Sequence, residues 1–188
     1  EGEKEGLLPF DFEMTFDDVD IKVTVGFFRN LVRDEEIDAE AEGANDIDKA
    51  GISVVCNDRV VLLSDKSMAT GWGDGGAPRY HPQFRAIAGL ITLYSADASK
   101  LPLSTTKRGL DASSDVYLTA RQQCIDGIKT FTTFTNKWKG MERAATPVFK
   151  EAKLKDVRTE VHLAKQHGRA VRQLEGSKRF KPSLPVPD

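Results

Sequence analysis

Between positions 10 and 27 apolar and polar residues trade places one for one. Phe10, Phe12, Met14 and Phe16 are separated by Asp11, Glu13 and Thr15, and after Asp17-Asp18 the residues Val19, Ile21, Val23, Val25 and Phe27 are separated by Asp20, Lys22, Thr24 and Gly26. A period of two over two runs predicts a β-hairpin with one buried face. The alternation stops at Arg33, and residues 33 to 51 read as an acidic loop. A second hairpin is predicted from "GISVVC" and "VVLLSD", joined at "NDR", because Asn and Asp tolerate the left-handed backbone of tight turns.

Glycine and proline then crowd residues 68 to 84, "MATGWGDGGAPRYHPQF", which predicts a long loop carrying Trp72, Tyr80 and His81. "FRAIAGLITLYSAD" is apolar on both faces and reads as a central strand. Further on, Tyr117, Cys124, Ile128, Phe131 and Trp138 recur at helical spacing, with Ser113 or Ser114 as N-cap and Asp115 in the first turn. The "TFTTFT" run lowers helix propensity and leaves the last turns open. A charged helical segment is expected around residues 148 to 175, followed by "KPSLPVPD" as an extended tail. The pattern gives an α+β fold, a mostly antiparallel sheet packed on helices. Residues 1–140 form the domain, and residues 141–188 form a basic, charged C-terminal helical extension with a Pro-rich tail.

Charge changes this picture more than composition does. The net charge of the 188 residues is −2, yet residues 1–50 hold 16 acids and 5 bases, and residues 137–188 hold 6 acids and 13 bases. A basic tail reads either as a solvated helix face or as a weak nucleic-acid contact through residues 141–188. No apolar run is long enough for a membrane span, so no membrane partner is expected and the location is read as cytoplasmic. Cys56 and Cys124 stand far apart in apolar contexts and read as buried thiols of a reducing compartment. Glu rather than Met at position 1 suggests a piece excised from a longer chain.

Candidate chemistry is sparse. His162 and His167, five apart, do not share a helix face, and neither cysteine has a close partner, so no metal site is expected. Three scattered histidines build no nucleophilic triad, and His81 in "RYHPQF" reads as a structural anchor. "GWGDGG" lacks the Gly-Lys-Ser/Thr of a phosphate loop. The remaining candidate is "STTKRGLD", residues 104–111, where a strand end feeds a helix start. Free backbone N–H groups and the positive end of a helix dipole suit a phosphate there, while Ser, Thr, Gly and Lys equally suit a solvated loop.

Two features taken together resemble the transducer domain of the GHKL ATPases, the superfamily of gyrase B, MutL and MORC. One is "VVCNDRVVLL", similar to the Asn-Gly-Arg or Asn-Asn-Arg hairpin of MutL and MORC transducers, here Asn57-Asp58-Arg59. The other is "STTKRGLDASSDV" after the central strand, similar to the Gln-Thr-Lys loop of the gyrase type. The resemblance covers roughly residues 10 to 140 and implies a transducer-type two-layer fold. It implies that Lys107 contacts the ATP γ-phosphate, with Thr106 at the middle threonine and Thr105 in place of the glutamine, a shorter side chain that needs a closer approach.

The groups that would hold the rest of the nucleotide are not in this chain. The Glu four before Asn of the GHKL pocket has no match, since Glu42 and Asn45 in "EGAN" are three apart, and "GWGDGG" does not fit the Asp-x-Gly-x-Gly adenine motif. The resemblance therefore implies a fragment with no catalytic residue and no bound cofactor of its own. ATP and Mg²⁺ would belong to an N-terminal ATP-binding domain of the same chain, the parent would be an ATPase, and a homodimer is a further expected partner. The alternative is a non-catalytic interaction or nucleic-acid-binding module working through its basic C-terminal segment. The motifs assign no role to Gly71-Trp72-Gly73 or Tyr80-His81-Pro82.

Overall fold

The computed structural model describes residues 7–33, 35–37, 49–104, 109–150 and 176–187. The expected hairpins form as β1 (Phe10–Phe16) with β2 (Val19–Phe27) and β3 (Gly51–Cys56) with β4 (Arg59–Asp65). The central strand is β5 (Ile87–Tyr94), and a three-residue β6 (Lys178–Phe180) joins late in the chain. They make one six-stranded sheet in the order β4-β3-β5-β2-β1-β6, antiparallel except between β3 and β5. The Asp17-Asp18 turn has positive φ at both residues, 48° and 58°, the geometry whose twist matches paired strands.

Alternation decides which face is wet. Phe10, Phe12, Val19, Ile21, Val23 and Val25 are buried beneath α1 (Asp115–Lys137), while Asp11 and Thr24 pair at 2.6 Å and Lys22 and Glu13 at 3.3 Å on the opposite face. The helix buries Val116, Tyr117, Ala120, Cys124, Ile128 and Phe131 against the sheet. Gly127 sets how closely it approaches, since a Cβ there would lie 2.7 Å from Val25 Cγ2. The "TFTTFT" run stays helical because Phe131 and Phe134 are buried, while Thr130, Thr132 and Thr135 donate their hydroxyls to the carbonyls four residues back, at 2.8 to 3.0 Å. Ser114 takes the N-cap position without a side-chain cap bond, whereas Asp111 accepts from the Ser113 N–H and hydroxyl.

A second apolar cluster continues the core past Gly140. Leu7, Leu31, Phe134, Trp138, Ala145 and Phe149 pack together, with Phe27 set against Phe131, Phe134 and Phe149 at ring distances of 4.9 to 5.3 Å. Ala145 and Phe149 come from α2 (Glu142–Lys150), so helix begins earlier than the expected 148. Residues 151–175, the remainder of the expected helical extension, lie outside the described residues. The tail holds a strand that the sequence did not announce: β6 pairs with β1 and sets Lys178 opposite Glu13. No described helix is long and apolar enough to cross a membrane.

Candidate functional site

One end of the sheet carries the Asn57 hairpin and the start of the segment that leads toward the candidate lysine loop. Because β3 and β5 run parallel, Asn57 of the second hairpin and Ser95 after β5 arrive side by side. Asn57, at φ 51°, donates its amide to Ser95 O and accepts from Ser95 N, both at 3.0 Å, and its own N–H reaches Leu93 O at 2.8 Å. The Ser95 hydroxyl donates to Asp18 O at 2.9 Å, which ties in the first hairpin tip. Lys100 follows from a short 3-10 turn and bonds Asp17 at 3.0 Å and Asp18 at 2.6 Å. Those bonds, the one to Asp18 first, hold the Lys100 ammonium above its ordinary titration range.

The chain then enters the candidate phosphate loop from this fixed platform. Leu103 and Leu110 form an antiparallel bridge, the Ser104 N–H donates to Gly109 O at 2.9 Å, and the Asp111 N–H donates to Pro102 O at 2.8 Å. The chain therefore leaves at Ser104 and returns at Gly109, with four residues between them, before α1 starts at Asp115. Thr105, Thr106 and Lys107, the candidate γ-phosphate contacts, fall within those four residues and lie outside the described residues. Glu42 and Asn45 also lie outside them.

The glycine-rich loop does different work, which the motifs did not reveal. Residues 66–86 return the chain from β4 to β5 and lie along one flank of α1. Arg121 donates to Met68 O (Nε 3.0 Å, Nη2 2.6 Å), to Ala69 O at 3.2 Å and to Asp74 Oδ2 at 2.6 Å. The Arg121 bond, then the Gly75 N–H, holds the Asp74 carboxyl below its usual range. Tyr117 Oη adds a bond to Ala69 O at 2.7 Å. Gly71 lets the loop touch the helix, since a Cβ there would fall 2.5 Å from Ile125 Cγ1. Trp72 is buried, edge-on to Tyr80 at 5.2 Å, and His81 Nδ1 accepts from the Gln83 N–H to start the turn Pro82–Phe84. The "GWG" and "YHP" strings thus anchor a loop.

Cys56 and Cys124 are both buried free thiols. Burial pushes the Cys56 thiol up to about 11 despite nearby Arg59, and pushes Cys124 up as well. Neither is a reactive thiolate. Among the described residues no group of His, Cys, Asp and Glu could hold a metal ion.

No protein-family model matches the chain, and no curated protein matches it. Among solved structures it is similar to the 43K ATPase domain of Thermus thermophilus gyrase B in complex with an aminocoumarin, with 12% identity and a TM-score of 0.33. The alignment covers 88% of this chain and 43% of that one, so this chain spans less than half of that structure's length.

Proposed function

We propose that the chain is the transducer portion of a GHKL-type ATPase, which senses the ATP γ-phosphate through Lys107 and relays nucleotide state as domain movement. The observation that supports this reading is the tie between the Asn-Asp-Arg hairpin and the segment that leads into the candidate lysine loop. Asn57 of the Asn-Asp-Arg hairpin holds Ser95, and the chain runs from Ser95 through the Lys100 platform into the pinned base of the 104–109 loop. A sensing lysine needs this kind of support, because a contact can move a domain only if the loop passes force to a rigid sheet. Lys suits the task, since its ammonium is a compact charge on a flexible stem that can enter and leave a pocket. Contact exists while the terminal phosphate is present and is lost when it leaves, so the angle between the domains follows hydrolysis.

On this reading ATP and Mg²⁺ are held by an ATP-binding domain that precedes this one in a cytoplasmic parent enzyme, and the 188-residue piece alone does not turn over ATP. One rate and one midpoint test the proposal. Lys107→Ala should leave the unfolding midpoint of this chain within about 0.5 kcal/mol of wild type. In the full-length ATPase it should lower the rate by about 10²-fold. A large stability loss with a normal ATPase rate would make Lys107 structural and overturn the assignment.

A further inference from the structure

Between α1 and residues 179–186 lies a groove of about 350 Å³, and Lys129 on its rim also touches the glycine-rich loop. Four cations line it: Lys129 and Lys137 from the helix, Arg179 and Lys181 from the returning tail. One acid, Asp126, stands among them, and Arg179 occupies it at 2.7 Å. Lys129 reaches only the neutral carbonyl of Gly75, at 3.3 Å. Among the described residues, Lys129, Lys137 and Lys181 have no carboxylate within ion-pair distance. Three uncompensated ammonium groups thus face one cleft whose floor includes Phe134, Leu184 and Pro185.

Like charges converge at a cost unless an anion offsets them. Lys129 and Lys137 are eight residues apart, about 12 Å along the helix, far enough to meet more than one phosphate of a strand. The rim supplies amines for phosphates, and the aliphatic floor, where Val186 is 59% exposed, supplies an apolar surface for the unstacked bases to pack on. A duplex keeps its bases stacked inside and has no use for such a floor. We propose that this groove is a sequence-tolerant site for the backbone of single-stranded nucleic acid, built jointly by α1 and the C-terminal strap. The site is narrower than a basic tail as a whole, because half of its cations belong to the helix.

The test is fluorescence anisotropy of a labelled twelve-nucleotide oligothymidylate with the 188-residue chain across a salt series. Three neutralised phosphates predict a log-log slope near −2, a loss of about 20-fold in affinity between about 50 and 200 mM salt. Lys137→Ala and Lys181→Ala remove exposed, unpaired amines and should each make the slope shallower by about 0.7. Lys181→Glu gives a second variant of the same wall, and circular dichroism confirms that each variant is folded. Lys139→Ala is the control, removing the same charge from the same end of the helix but outside the groove, and should change nothing. Absence of binding at low salt overturns the proposal, as does equal weakening by Lys139→Ala. Equal competition by polyglutamate would reassign the groove to an acidic peptide, and tighter binding of a twelve-base-pair duplex would overturn the single-strand assignment.

Discussion

The side-chain amide of Asn57 pairs with both backbone groups of Ser95, 38 positions away, and so extends the β3–β5 pairing by one step beyond the strands. Ser95 is 3% exposed, so water cannot readily replace either bond. Asn57 also holds φ at 51°, a conformation that costs a residue such as Ala about 1 kcal/mol.

Asn57→Ala should therefore destabilise the fold by about 2–4 kcal/mol, combining two lost hydrogen bonds with the strained backbone. Asn57→Gly relieves the backbone but not the bonds, and should lie between Ala and wild type. Urea midpoints of the three proteins give the order. Equal midpoints for Ala and Gly would show that backbone strain contributes nothing.

Gly71 and Gly76 both have positive φ, at 112° and 83°, yet their surroundings differ. A Cβ at Gly71 would meet Ile125 Cγ1 at 2.5 Å, whereas at Gly76 the nearest atom is Lys129 Nζ at 3.5 Å. Gly71→Ala should cost about 3 kcal/mol, from overpacking plus backbone strain, and Gly76→Ala about 1 kcal/mol, from strain alone. Ile125→Val in the Gly71→Ala background should restore little, because valine keeps the γ carbon that the new Cβ would meet and the backbone strain remains. Arg121→Ala should open residues 68–86 to proteolysis before global unfolding, since the guanidinium holds two carbonyls and Asp74 together.

The strands, the long loop and the main helix were legible because each has a periodic pattern that burial enforces locally. Residues 10–27 show this most plainly: shifting either strand by one would turn Val23 and Val25 to solvent. The three-residue β6 was not legible, because Lys178, Arg179 and Phe180 are all exposed and show no alternation. Nor were the contacts that build the site. Arg121 and Asp74 lie 47 positions apart, and nothing in "GWGDGG" announces that its glycines face a helix. Asn57 was visible as a turn residue, but its second task depends on β3 and β5 running parallel, which no local string encodes. The threonines of "TFTTFT" misled in the other direction, since their back-bonded hydroxyls cost the helix little once Phe131 and Phe134 are buried.

Alkaline pH should loosen this fold through its core. The Cys56 thiol, ordinarily at 9.0, is held up to about 11 by burial, and burial raises Cys124 and Tyr117 too. The unfolded chain therefore releases these protons at lower pH than the folded one, so their stabilising contribution is whole below about pH 9 and is lost as pH climbs toward 11. Denaturation midpoints should fall across that window, and Cys56→Ala should flatten the fall. Both thiols should also resist a disulfide reagent at neutral pH until urea is added. Rapid labelling of the folded chain would contradict the burial of both.

Trp138 Nε1 donates to Pro185 O at 3.1 Å, and Leu184 packs against both apolar clusters, so the tail closes over the end of α1. Deleting residues 176–188 should strip β6 from β1, break the Arg179–Asp126 pair and wet an indole that is now 7% exposed. Lost burial of Leu184 and Pro182, with the lost hydrogen bonds, should cost about 2–4 kcal/mol. Trp72, 1% exposed, lies in the glycine-rich loop and should not sense the change. In a Trp72→Phe background the emission of Trp138 should therefore move to the red on deletion, while the far-ultraviolet dichroism of the sheet and α1 persists. Trp138→Phe gives up the N–H and also shrinks a buried ring, so it should cost about 2–3 kcal/mol. An unchanged emission maximum and midpoint after deletion would mean that the strap does not cover α1 in solution, and the wall that Arg179 and Lys181 supply to the groove would be missing with it.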